Sequence, residues 1–370
     1  MEKIELLIVE DDEKVINDIY IRNINSFNLD ASVKINYTIS KTKDEAIEIL
    51  NNLHNFDAAI VDLDLLGLHG NDKSGNEVIR IIKNNLRFPV FVISGTPHNL
   101  DIDLRNESSL FKIKSRGEEG DYIDEIVSIY NTGITKILKR KGTIDEYLNT
   151  IFWNHLSNSM GIWIEDDSRS PEEKQKTLLR YTLLHIQEYL ELSEDSDFED
   201  YHPAEIYITP PVKPNIFTGD VIKEKKTEIN YIVLTPSCDL AHEGKTEIVL
   251  LVQIQNKNEG EINRLKTIII NPEESNGNKK SAEKELKRLI NNSQSSKFHF
   301  LPDYENIEAG LINFQQLKSV PKKSILEDYD RIASVNSTFT KDIVARFSYY
   351  YSRQGSPDFN ENEIYNSLIS

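Results

Sequence analysis

Five short apolar runs, each followed by a stretch of helical periodicity, fill the first 130 residues of this chain. LLIVE (Leu6 to Glu10) is continuous and apolar, as a strand covered on both faces requires. Glu13 to Ile24 then has helical spacing. Val33 to Thr38 reads as a second strand and KDEAIEILNNL (Lys43 to Leu53) as the helix after it. DAAIVDLD (Asp57 to Asp64), PVFVIS (Pro89 to Ser94) and SLFKIK (Ser109 to Lys114) supply three more strands. NEVIRIIKNN (Asn76 to Asn85) and a helix from about Glu119 to Tyr130 fall between and after them. Strands alternating with helices in this way predict βα units wound around a parallel sheet, a doubly wound (βα)5 α/β domain over residues 1–130.

Beyond Gly133 the pattern changes. Thr143 to Met160 and Ser170 to Leu192 carry apolar residues at helical spacing, and Ser170-Pro171-Glu172-Glu173 is a strong helix start. The tract Glu191 to Asp200 is rich in acids and reads as a solvated linker, so residues 131–200 form a helical connector. Residues 201–370 read as an α+β domain with a small β-sheet or barrel: short strands around Pro and Gly turns, a strong strand over Thr246 to Gln255, a short helix over Glu283 to Asn291 and an aromatic-rich helix from Lys341. Gly219 to Ile222 leading to Tyr231 to Leu234 is loosely similar to the opening of small barrels such as the MazF/PemK toxins, and no ribonuclease activity is carried over from so short a match.

The formal net charge of −18 argues against a protein that coats nucleic acid or an anionic membrane surface. One cysteine excludes an internal disulfide framework, no apolar stretch is long enough to span a bilayer, and the N-terminus has no basic leader, so a cytoplasmic address is expected.

In an open parallel sheet, ligands bind outside the carboxyl ends of the strands. The first strand ends in Glu10-Asp11-Asp12, the third in Asp62, the fourth in Ser94-Gly95, and the fifth carries Lys112 and Lys114. Acids from two strand ends, a hydroxyl and an amine would converge on one basin. Such a set suits an oxygen-ligated Mg2+ beside a carboxylate that accepts a phosphoryl group.

On LLIVEDD, AAIVDLDLLG, FVISG and LFKIK, taken in order and near the expected spacing, residues 3–130 resemble the receiver domain of two-component response regulators. The resemblance implies Asp62 as phosphoacceptor, Glu10 and Asp11 as the acidic pair around Mg2+, the backbone carbonyl of Asp64 as a further metal ligand and Ser94 as the switch hydroxyl. It also implies a strand-five lysine, Lys112 for preference over Lys114. A histidine kinase would be the phosphoryl donor. The chain departs from the family's pattern at Leu65-Leu66-Gly67, in the polar insert Leu68 to Lys73, and in lacking a proline after either lysine.

The expected function is a response-regulator-like signalling protein that relays phosphorylation at Asp62 to a C-terminal output or protein-interaction domain, in a stress or defence circuit or as a phosphate sink. The rivals are an enzyme gated by the receiver, a hydrolase or nuclease using Cys238, Asp239 and His242, and an adaptor whose receiver is degenerate. Against the first rival, Cys238 follows an apolar strand and is expected to be a packed, inert thiol. His155, His185 and His202 are too dispersed in sequence to suggest a metal cluster. The basic and aromatic stretch Arg346 to Arg353 is read as packing or a protein interface rather than a base-stacking surface. Over residues 133–192 no basic recognition helix follows a tight turn. A partner protein for the C-terminal domain is therefore expected in place of DNA, and a homodimer is compatible with the sequence.

Overall fold

A computed structural model describes residues 2–52, 55–65, 72–118, 120–191, 200–242, 244–353 and 358–370. Most of the polar insert after Leu65, and the acidic tract over 192–199, lie outside the described residues. The chain divides into two compact units, Met1–Phe198 and Glu199–Ser370. No helix among the described residues is long and apolar enough to cross a membrane.

The first unit begins with β1 (Lys3–Val9), α1 (Glu13–Val15), a π turn (Ile16–Ile21) and α2 (Arg22–Asp30). Then follow β2 (Lys34–Ser40), α3 (Lys43–Asn51), β3 (Ala58–Val61), α4 (Ser74–Asn85), β4 (Val90–Ser94), β5 (Phe111–Ser115) and α5 (Tyr122–Asn131). The five strands are all parallel and run in the order β2-β1-β3-β4-β5, the flavodoxin-like order. Period-two alternation along buried strands explains both faces. Leu7, Val9, Ala59, Val61 and Val92 pack with Ala46 and Leu50 of α3 and with Val78, Ile79 and Ile82 of α4. Leu6, Ile8, Ala58, Ile60, Phe91 and Ile93 pack on the other face with Tyr20, Ile24, Ile123 and Ile126. Each Val, Leu, Ile or Phe side chain so buried contributes roughly 1.5–3 kcal/mol relative to exposure.

Four helices complete this unit: α6 (Ile134–Leu138), α7 (Thr143–Ile151), α8 (Ser157–Ile164), joined to α7 by a π turn, and α9 (Pro171–Leu190). Ser170 and Glu173 form a reciprocal capping box with Pro171 at the first position, so the start of α9 was legible in the sequence. Lys139, just beyond α6, ties this region to the sheet through a 2.9 Å ion pair with Asp57, whose side chain is fully buried.

The second unit holds β6 (Tyr207–Ile208), β7 (Asp220–Glu224), β8 (Asn230–Val233), α10 (Ser237–Ala241), β9 (Ile248–Asn256), α11 (Gly260–Ile270), α12 (Asn276–Ile290), β10 (Phe298–Leu301), β11 (Gly310–Pro321), α13 (Lys322–Asp328), β12 (Tyr329–Val335), α14 (Ser337–Ser352) and α15 (Glu361–Ile369). Its strands form one antiparallel sheet, β10-β11-β9-β8-β7-β12-β6. This is larger than the small sheet or barrel expected, because β10, β11 and β12 were not recognised as strands. Alternation again divides the faces. Val221, Ile232, Val252 and Ile254 pack with Phe314, Ile343 and Phe347 on the α14 side. Ile222, Tyr231, Val233 and Leu251 pack with Leu240 of α10 and Ile325 of α13, and α11 and α12 cover Phe298 and Leu311. The helix expected over Glu283 to Asn291 is the second half of α12, which starts earlier, at the Ser275 cap.

Candidate functional site

The candidate basin lies at the carboxyl ends of β1, β3, β4 and β5. Glu10 follows β1, and its backbone amide continues the ladder to Ser40. Asp12 then leaves the strand to cap α1, its Oδ1 accepting the Lys14 amide at 2.8 Å. Asp62 directly follows β3, and its amide bonds the Val9 carbonyl at 2.9 Å, which fixes it beside Glu10. Carboxylate oxygens of Glu10, Asp11 and Asp62 lie within 4.8 Å of one another. Glu10, Asp62 and Ser94 are buried, and Asp11 is half-buried. The Ser94 hydroxyl, at the end of β4, accepts the Thr96 amide at 3.3 Å and lies near enough to Asp62 to favour its charged form. Asp64 follows on the same loop, where its charge acts on Asp11.

The loop that follows Asp62 is held by Asp72, just ahead of α4, and by Gly75 within that helix. The carboxylate of buried Asp72 accepts the Leu65 amide at 2.7 Å and the Ser74 amide at 2.9 Å. Gly75 packs so closely that a Cβ there would lie 2.2 Å from the Asp62 carbonyl oxygen. Only glycine permits that approach.

The strand-five cation is neither lysine. Arg116 Nη2 donates to Glu10 Oε2 at 2.6 Å and to Asp62 Oδ2 at 3.0 Å. Lys114 instead pairs with Glu125 of α5 at 2.6 Å. The reason is register. β5 runs to Ser115, which pairs with Ser94, and the Arg116 amide bonds the Ser94 carbonyl. Lys112, Lys114 and Arg116 share one side of the strand, so the last of the three stands at the carboxyl edge. The sequence reading ended the strand at Lys114, and only the level of Ser94 in the ladder would have pointed to Arg116. Tyr20 was missed as well. The π turn buries it against Tyr122, ring centroids 6.2 Å apart, and its hydroxyl has no hydrogen-bond partner among the described residues.

Electrostatics follow from crowding. Burial, with Asp62 nearby, pushes the Glu10 carboxyl up to about 8. Burial likewise raises Asp62 and Asp11. Burial works against the charge of Arg116, but Glu10 and Asp62 outweigh it and hold the guanidinium protonated. One guanidinium does not neutralise three converging carboxylates, and all the donors are hard oxygens. The set fits Mg2+, with Glu10, Asp11 and Asp62 as its side-chain ligands. Arg116→Ala should lower metal-free stability by about 2 kcal/mol, a cost limited because Glu10 can take up a proton. Arg116→Lys should recover most of it. Chemical denaturation in chelator checks both, and an unchanged midpoint in Arg116→Ala would remove Arg116 from the basin.

No protein-family model and no curated protein matches the chain. Among solved structures it is similar to the Salmonella typhimurium RcsB response regulator, whose structure concerns conformational dynamism for DNA interaction. That match has 14% identity over 51% of this chain and 90% of that one, with a TM-score of 0.27. It is also similar to a mutant receiver domain of the histidine kinase CKI1 from Arabidopsis thaliana. Here identity is 11% over 34% of this chain and 89% of that one, with a TM-score of 0.21. Likeness this slight carries no weight for the site.

In the second unit, the Cys238, Asp239 and His242 constellation does not assemble. Cys238 is exposed, which corrects the expectation of a packed thiol. The chain enters α10 directly after Pro236, and Leu240 is the residue of that helix that turns inward. The Cys238 thiol bonds Asp239 Oδ1 at 3.5 Å, and His242 has no side-chain hydrogen bond among the described residues. A cavity of about 380 Å³ lies beside α10, lined in part by Lys213, Thr218, Ser237, Ser334 and Lys341. Three of its hydroxyls are engaged within the protein: Thr218 donates to the Thr235 carbonyl, Ser237 to Thr218 and Ser334 to buried Asp220. His155 and His185, distant in sequence, come together with ring centroids 4.8 Å apart. Even so, the one metal-competent group among the described residues is Glu10, Asp11 and Asp62. Around Arg346 to Arg353, Phe347 and Tyr350 pack against Phe314 while Tyr349 and Tyr351 are exposed, and Arg346 pairs with Asp342.

Proposed function

We propose that the first unit is a phosphoryl-accepting receiver with Asp62 as the nucleophile, and that it relays its state to the second unit as an output or protein-interaction module. The observation that carries this reading is the position of Asp62. It stands at the carboxyl end of the central strand, between an acidic pair on β1 and a hydroxyl on β4, with a guanidinium from beyond β5 on its Oδ2. An Asp62 oxygen would attack the phosphorus of a phosphoimidazole on a histidine kinase. The P–N bond breaks, an acyl phosphate forms on Asp62, and the imidazole leaves and takes up a proton. Mg2+, when bound by Glu10, Asp11 and Asp62, would supply charge neutralisation between the approaching anions. The Ser94 hydroxyl and the Arg116 guanidinium are placed to bind the phosphoryl oxygens after transfer. Arg116 offers a forked donor where the receiver resemblance implies a lysine, so it can hold two of those oxygens at once.

Acetyl phosphate with Mg2+ tests the reading. One phosphoryl group should appear on the peptide containing Asp62. No adduct on the wild-type protein, with acetyl phosphate or with a histidine kinase as donor, would defeat it.

A further inference from the structure

Gly133, in the left-handed region at φ 79°, turns the chain out of α5 and into α6. α6 then stands by the amino ends of β4 and β5, at the edge of the sheet opposite the Asp62 basin. It leaves a cavity of about 360 Å³ between itself and the end of α4. Leu86 and Phe88 after α4, Phe111 at the start of β5, and Ile134 and Leu138 of α6 give that cavity an apolar lining. Its volume falls within the range of small-molecule sites. Water seated on such walls has few hydrogen-bond partners, so an apolar group that displaces it gains.

The polar groups around it are few and placed. Lys83 Nζ stands 3.9 Å from the centroid of the Phe111 ring. Arg87 Nη1 reaches across to the Leu138 carbonyl at 3.5 Å. Both cations therefore sit on wall residues, and among the described residues neither is in an ion pair, in a chain of net charge −18. Asp103, whose carboxylate feels Lys83, is held by the Arg80 guanidinium. Thr135 of α6 lines the same cavity and is buried, and its hydroxyl has no hydrogen-bond partner among the described residues. A buried hydroxyl left so is costly, and an acceptor brought into the cavity offers it a partner.

We propose that this cavity binds a small molecule with an apolar body and one anionic head group, the body against Phe88, Phe111 and Leu138 and the head at Lys83 and Arg87. Charge selects the head. A neutral ligand gains nothing from two cations that lack partners, and a cationic one is repelled by them. A carboxylate accepts from both, through charge-assisted hydrogen bonds stronger than those of a neutral group. The site uses neither Asp62 nor Mg2+, so it stands or falls apart from the phosphoryl reading.

Octanoate and 1-octanol share a chain and differ in charge, which makes them the probes. Calorimetry with the full chain should show one octanoate per chain, bound at least about tenfold more tightly than octanol, with the advantage shrinking as salt rises. Lys83→Gln combined with Arg87→Gln should remove that advantage, weakening octanoate about tenfold and leaving octanol unchanged. Both side chains are exposed, so the double variant keeps the fold. Leu110→Trp, at a wall residue that is 45% exposed, should fill the cavity and weaken both probes. No saturable octanoate binding, equal affinity for the two probes, or octanoate binding indifferent to these variants would overturn the proposal.

Discussion

Asp62→Asn is expected to abolish the acetyl-phosphate adduct while leaving the metal-free protein at least as stable as the wild type. The first effect follows from chemistry. The amide oxygen is too weak a nucleophile to open a phosphoric anhydride, and the neighbouring acids, Glu10 and Asp11, are committed to charge neutralisation rather than attack. The second follows from the basin's electrostatics. Burial leaves the charged form of Asp62 disfavoured in the folded state despite the nearby Ser94 hydroxyl and its bonds to Arg116 and the Leu63 amide. A neutral isostere removes that cost and keeps an oxygen for the Leu63 amide. Mass spectrometry of the adduct and thermal melts in chelator give the two readouts. A substantial fall in metal-free stability would mean that Asp62 is chiefly a structural partner of Arg116, and an undiminished adduct would move the phosphoacceptor elsewhere.

The basin was legible in the sequence to the extent that strand ends were. A strand buried on both faces must be continuously apolar, so LLIVE, AAIV and FVIS marked where β1, β3 and β4 stop, and the polar residue next in line falls at the carboxyl edge. β5 lies at the sheet's edge and is only partly buried after Phe111. Its alternation of Phe and Ile with Lys gives no stop signal, and the cation expected at Lys112, or else Lys114, is Arg116. Gly75 escaped for another reason. Its role comes from the approach of α4 to the Asp62 carbonyl, a contact made across the loop that holds the polar insert.

In the second unit the misses share a cause. β11 is the longest strand of its sheet, yet Gly310–Pro321 carries polar residues through its middle, Gln315 and Gln316 among them. These coincide with a register shift between Ile312 and Leu317 where the strand pairs with β9. Five residues of β11 there advance against two of β9, so three extra residues shift the alternation by an odd number and a period-two search reads the result as loop. Cys238 was misjudged because its strand ends at Val233 and the chain turns at Pro236. The apolar run before a residue says nothing of the side it faces once a helix has begun.

Mg2+ should stabilise the protein more as pH rises, and Glu10 sets the window. Its carboxyl sits at about 8 in the folded protein against an ordinary value of 4.5, chiefly through burial and then Asp62. Between those values the folded state holds a proton that the unfolded chain has released. Metal-free stability is therefore fullest near the lower value and declines toward pH 8. Asp11 and Asp62, raised in the same direction, add to the decline. Cation binding needs these carboxylates ionised, so Mg2+ competes with protons and is favoured where the metal-free protein is weakest. At a hundredfold excess over its dissociation constant Mg2+ would add about 2.7 kcal/mol, with less gain near pH 5, where Glu10 is protonated. Glu10→Gln should flatten the metal-free pH profile, and Asp11→Asn, which has lost one ligand and one repelling charge, should respond less to Mg2+ than the wild type. Thermal melts across pH, with Mg2+ and with chelator, decide it. An equal Mg2+ response in wild type and Asp11→Asn, or one independent of pH, would place the cation outside this basin.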